Sequence, residues 1–277
     1  MITRFILTLT LPIFLIGCAS DTKTKEVVIC QGTCASESEA EPEEETHITL
    51  PASNKFVGGI SRAEFDAASG VFTVTGAGLN AQMKRFPVAD HKSFLAMRDG
   101  VGLHNAYHAK GSGTQLVIYS GGLAGSVVNL AGFTRTGTSE MPLTGSARYT
   151  GEYAGFTTTR RINGSARIDV SFDDNTVSGR ITNREFRQRP DNVLDSANSL
   201  SDLSLEETKL NRDGSFKGVT GGGKIINGQE VWDPAIGRFV GLIGGAEGNE
   251  VVGSVAVSHR SPSGADFDEV GGFLASH

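Results

Sequence analysis

Cysteine is nearly missing: three occur in 277 residues, too few to staple a scaffold of this size with disulfides. Tryptophan occurs once and proline eight times. No apolar run reaches the ~20 residues that a membrane-spanning helix needs. Basic residues are not in excess, and a formal charge of −6 argues against nucleic acid as a partner, which rewards a basic surface. No strict Gly-X-Y period runs through the chain, which excludes a collagen-like rod. What is abundant is glycine, 36 residues, about twice the usual share of roughly 7%. Hydrophobic residues make up 38%, enough for a packed core and too many for a disordered chain.

The N-terminus reads as an address. Met1 to Arg4 is short and positively charged, and Phe5 to Ile16 is apolar apart from Thr8, Thr10 and Pro12. That length suits a secretory signal peptide. It ends in Leu15-Ile16-Gly17-Cys18, which resembles the bacterial lipobox. The resemblance implies cleavage after residue 17 and acylation of Cys18, with the thiol as nucleophile. Several acyl chains on one residue anchor stably where one chain does not. Ala19 stands where an Asp would favour inner-membrane retention, so the expected destination is the outer membrane.

Residues 18–46 read as a tether. Glu37, Glu39, Glu41, Glu43, Glu44 and Glu45 fall within nine residues, and like charges at that density extend a segment. Three of the 25 basic and eight of the 31 acidic residues lie before His47, so the remainder carries a charge of only −1. Cys30 and Cys34 are candidates for a small disulfide ring or for two free thiols. A metal or redox site needs a neighbouring His or a second Cys pair, and neither is nearby.

Beyond the tether, strict alternation points to antiparallel β-structure. Ala147, Tyr149, Gly151 and Tyr153 alternate with polar residues, as do Ala166, Ile168, Val170 and Phe172, then Val177, Gly179 and Ile181. Phe216 to Thr220 and Val251 to Val257 follow the same rule. Turn signals stand between them at Asp173-Asp174-Asn175, Asn211-Arg212-Asp213-Gly214 and Asn227-Gly228. Gly151, Gly179, Gly218 and Gly253 sit inside strand patterns, where glycine weakens a flat sheet but permits the bends of a closing barrel. An open two-sheet sandwich has the same periodicity. The expected class is all-β, an antiparallel up-and-down barrel over 111–277 behind a smaller, mixed N-terminal region at 47–110. In that region a strand is expected at Gly70 to Thr75 and a helix at Asp90 to Arg98.

Little in the sequence points to chemistry. His104 and His108 stand four apart, but glycines at 100, 102, 111 and 113 argue against the helix that would pair them on a metal; a solvated loop is expected there. The run Gly218-Val219-Thr220-Gly221-Gly222-Gly223-Lys224-Ile225 lacks the Ser or Thr and the following helix of a phosphate-binding loop, and reads as strand. No nucleophile elbow is present, and pairs such as Asp173-Asp174 and Glu206-Glu207 read as solvated carboxylates. The expectation is a non-enzyme with no cofactor and no metal.

Three segments together resemble the β-barrel domain of the transferrin-binding protein B family of surface lipoproteins. They are Met141-Pro142-Leu143-Thr144-Gly145-Ser146-Ala147-Arg148-Tyr149-Thr150-Gly151, then the run from Gly237-Arg238-Phe239-Val240-Gly241 through Glu250-Val251-Val252-Gly253, and the closing Glu269-Val270-Gly271-Gly272-Phe273. The resemblance covers roughly Leu116 to His277. It implies an eight-stranded barrel, a handle-like region ahead of it, and display at the outer membrane on the Cys18 lipid. It further implies a host or secreted protein as ligand, service in iron or haem acquisition, and an outer-membrane receptor or export partner. The chain has room for one lobe where the full receptor has two, and no ligand-contacting residue transfers to it. Two other readings stand beside it: a lipocalin-like small-molecule carrier with an open barrel, and a structural envelope lipoprotein. Ile168, Val170, Phe172, Val255 and Val257 are expected to fill the barrel, which favours the protein binder.

Overall fold

The computed structural model of the chain describes residues 46–53, 55–86, 93–188, 194–226, 229–260 and 266–277. Cys18, Cys30 and Cys34, and the Asn227-Gly228 turn, lie outside the described residues. The chain enters through β1 (His47–Leu50) and crosses to a curled antiparallel sheet. That sheet contains β2 (Val57–Gly58), β3 (Arg62–Asp66), β4 (Val71–Gly76), β5 (Leu79–Arg85), β6 (Leu95–Arg98), β7 (His104–Lys110), β8 (Thr114–Leu123) and β9 (Ser126–Arg135). Their order is β2-β9-β8-β7-β6-β5-β4-β3. The one stretch from Val57 to Asp66 therefore serves both edges, pairing with β9 and then with β4. Gly58, Gly76 and Gly132 make that crossing possible. A Cβ on Gly58 would lie 2.2 Å from the Ala131 carbonyl oxygen, and one on Gly132 would lie 2.8 Å from Ile60 Cβ.

β10 (Ser139–Pro142) returns to pair with β1. The remaining strands are β11 (Ser146–Phe156), β12 (Arg160–Ser171), β13 (Thr176–Gln188), β14 (Leu194–Ser199), β15 (Leu203–Lys209), β16 (Ser215–Ile226), β17 (Gln229–Gly244), β18 (Glu250–Arg260) and β19 (Asp266–Ser276). Successive strands pair antiparallel, β19 pairs with β11, and β14 is a side branch on β13. Eight strands thus close on themselves in up-and-down order. The alternation read from the sequence is the pleat of this barrel: Tyr149, Tyr153, Ile168, Val170, Phe172, Val255 and Val257 belong to its buried interior.

The interior glycines have a sharper role than bending. Gly218 pairs across strands with Phe239, Gly241 with Phe216, and Gly253 with Phe273. A Cβ on each would come within 2.4–2.6 Å of that same ring. Each ring lies over the glycine opposite it, so large and small residues alternate across the strands.

Three expectations about the N-terminal region need correction. The boundary at 110/111 falls in the β7–β8 turn, and the first sheet runs on to Arg135. The helix expected over Asp90 to Arg98 is, within the described residues, the strand Leu95–Arg98. The segment expected to be a solvated loop around His104 and His108 is β7, with Asn105 to Ala109 buried. These strands are covered on both faces, which removes the alternation. Tyr107, Ala109, Leu116 and Ile118 pack on the outer wall of the barrel at Phe156, Leu242 and Val252, while Ala106, Val117 and Tyr119 pack inside the curl.

Candidate ligand-binding site

Aromatic and aliphatic side chains of the described residues fill the barrel interior. Tyr153, Phe239 and Phe273 are fully buried, with Phe172 and Phe216 alongside. Among the described residues, charge enters this interior around Glu269. Asn183 adopts φ 53° where the β12–β13 register slips between Asn163 and Ser165. The extra residue in β13 reverses the alternation, so Arg184 faces inward where Asn183 would have. There Arg184 Nη2 donates to Glu269 Oε2, His259 Nε2 meets the same oxygen at 2.8 Å, and the Tyr153 hydroxyl donates to Glu269 Oε1 at 2.5 Å. Burial works to raise the Glu269 pKa, but Arg184, then His259 and Tyr153, hold it at about 2. Burial also lifts Tyr153 well above its ordinary value. A pair this dry has stability at stake chiefly if one member is removed.

A cleft of about 920 Å³ lies between the first sheet and the barrel. Phe65, His108 and Gln115 line it from the sheet, Thr150 and Leu274 from the barrel. Glu250 ties the two walls together. Its carboxylate accepts from Ser112 N at 2.5 Å, Gly113 N at 3.0 Å and Thr114 Oγ1 at 2.9 Å, so a barrel strand caps the β7–β8 turn of the sheet. A Cβ on Gly111 would come within 2.4 Å of both Glu250 oxygens, and one on Gly113 within 2.6 Å of Gly245 N. Arg135 makes the second tie. At 5% exposed it donates only to carbonyls: Ile243 twice (2.9 and 2.7 Å), Pro51 (3.1 Å) and Asp213 (2.9 Å). Burial lowers its pKa, with Asp213 opposing.

The two histidines separate in role. His104 Nδ1 lies 2.5 Å from the Tyr119 hydroxyl. His108 stacks on Phe72 and receives the Gln115 amide at 3.0 Å. Burial, then Lys110, lowers the His108 pKa to about 4, so it is neutral at physiological pH. No His, Cys, Asp and Glu group suited to a metal occurs among the described residues. The glycine-rich run at Gly218 lies inside β16. Asp173 and Asp174 stand in an exposed turn.

One end of the first sheet carries exposed aliphatic residues. Val101 and Leu103, in the β6–β7 turn, are 76% and 65% exposed, and Val127 is 49% exposed. His104 pairs with Gly121 and Gly122 with Val127, so the three share that end. Sequence reasoning missed these residues and the buried charges Arg135, Arg161, Arg184, Glu250 and Glu269. The two glutamates did lie in quoted motifs.

No family model and no curated protein matches the chain. Among solved structures, it is similar to a doubly substituted transferrin binding protein B from Haemophilus parasuis Hp5, with a TM-score of 0.44 and 13% identity over 82% of this chain. It is similar also to the isotype 1 transferrin binding protein B from serogroup B Neisseria meningitidis, with a TM-score of 0.43 and 14% identity over 84% of this chain. The match covers 44% of the length of each of those proteins.

Proposed function

We propose that the chain is a lipid-anchored protein of the bacterial outer membrane, held by Cys18 and exposed at the surface. It captures a protein ligand on its outer face, in the service of host iron or haem acquisition and without catalysis. The observation that carries this reading is the filled barrel. With Tyr153, Phe216, Phe239 and Phe273 packed inside, recognition falls to outer surfaces, and Val101, Leu103 and Val127 offer the exposed apolar area that protein interfaces use. A second reading, a small-molecule carrier, has the cleft of about 920 Å³ in its favour, since sites of this size favour junctions between packed bodies.

Growth of a deletion strain on transferrin, haemoglobin or free iron tests the first reading. A defect confined to one protein-bound iron source is expected, and equal growth on all three removes the iron role. In binding assays with that protein, Leu103→Asp should abolish capture while leaving the thermal transition in place. Replacing Cys18 by Ala should move the protein out of the membrane fraction, and continued membrane association would refute the anchor.

A further inference from the structure

We propose that the groove along β5 and β6 is an oxyanion site, in which Lys84 and Arg98 hold one carboxylate, phosphate or sulfate group between them. Four observations converge on it. Lys84 and Arg98 are direct cross-strand partners, an arrangement in which like charges repel. Neither forms an ion pair among the described residues. Their groove encloses about 630 Å³, with Arg85 adding a third cation to its lining and Asp99 the acid there. Three cations against that one acid leave the lining with a net charge of +2.

The second cation layer lies behind the first. The Phe86 ring has the Arg98 guanidinium 5.5 Å from its centroid and that of Arg161 at 5.6 Å. Arg161 is 1% exposed and comes from β12 of the barrel. Its Nη2 donates to Asn105 Oδ1 at 3.0 Å, and the Tyr107 ring centroid lies 5.7 Å from the guanidinium. A guanidinium so placed adds positive potential to the groove from a low-dielectric position, where screening is weak.

The Arg98 head also packs against the β6–β7 turn. Gly102 has φ 76°, and a Cβ there would lie 2.2 Å from Arg98 Nη2. The positive φ favours glycine in the β6–β7 turn, which packs against the guanidinium. A planar fork beside an ammonium suits an oxyanion, which takes two parallel bonds from the first and a point charge from the second. The shared chemistry has two sources, a free anion or an acidic side chain on a partner protein. The site requires neither the lipid anchor nor an iron-bearing ligand.

Thermal unfolding of the intact chain tests it, with sodium sulfate or phosphate titrated against sodium chloride at matched ionic strength. Wild type should show a saturable rise in Tm that Lys84→Met and Arg98→Met both lose, while Lys217→Met on the barrel keeps it. In chloride alone Lys84→Met should melt no lower than wild type, because a repulsion is relieved; a plain structural lysine would not behave so. No saturable rise in wild type, or an unchanged rise in both variants, overturns the proposal. Where the rise is present, displacement of sulfate by a polyglutamate peptide assigns the site to acidic partner segments. Failure of the peptide assigns it to a free anion.

Discussion

The Tyr153 hydroxyl donates to Glu269 Oε1 at 2.5 Å inside the barrel, although the two residues lie 116 positions apart. That bond closes a buried group in which Glu269 is the single carboxylate facing Arg184 and His259.

Glu269→Gln should therefore cost about 3–5 kcal/mol, because it leaves Arg184 charged and uncompensated in a dry interior. Urea denaturation measures it. The pH dependence has a definite window. The folded pKa of about 2 lies below the ordinary 4.5, so the contribution is complete above about pH 4.5 and drains away as pH falls towards 2. In Glu269→Gln that part of the stability profile should flatten.

His108 sets a second and separate window. Its folded pKa of about 4 lies below the ordinary 6.5, so the unfolded chain takes up the proton first as pH falls. Stability should be lost between about pH 6.5 and 4 and level off below. His108→Gln should remove that slope and leave the lower window untouched. An NMR titration of the ring should show it neutral down to about pH 4.

Glu250 and Gly111 should be energetically coupled across the junction. Glu250→Ala leaves Ser112 N and Gly113 N without their acceptor, at a cost of about 1.5–3 kcal/mol. Gly111→Ala drives a methyl group into the same carboxylate. The double variant should be less unstable than the sum of the two, with a coupling of about 0.5–3 kcal/mol. Strict additivity in a double-mutant cycle would sink this account of the cap.

Arg135→Met should destabilise by about 1–3 kcal/mol and speed amide exchange near Asp213 and Ile243, whose carbonyls it now holds. Arg135→Lys should recover little, since one ammonium cannot replace a planar fork that reaches three carbonyls.

Legibility in the sequence followed solvent exposure. Strands β11, β12 and β13 have one wet face, so Ser146 to Thr182 displayed the period of two. Strand β8 is buried on both faces, with Leu116 and Ile118 turned to the barrel and Val117 and Tyr119 to the curl, and no alternation survives. The supposed helix at 90–98 failed for the same reason, since Phe94, Ala96 and Met97 are all buried. The motif glutamates were visible, but their partners were not: Ser112 lies 138 residues from Glu250 and Arg184 lies 85 from Glu269. The β13 bulge that turns Arg184 inward has only Asn183 as its trace, a residue type tolerant of positive φ. The barrel glycines stand in the sequence as bending positions; the aromatic ring opposite each one is visible only in the strand register.

The β1–β10 ribbon has a mechanical consequence. Residues before His47 join the fold through β1, where His47 pairs with Pro142, and Leu143 N donates to Thr46 O at 3.0 Å. Tension applied from that side, resisted by the barrel that follows β10, loads both strands at the same end. The bonds then peel one after another instead of sharing the force. Four residue pairs, roughly 13 Å of chain from each strand at ~3.3 Å per residue, would pay out while the sheet and the barrel behind them stay intact. The ribbon acts as a short strain relief between a pull on the N-terminal side of His47 and the barrel.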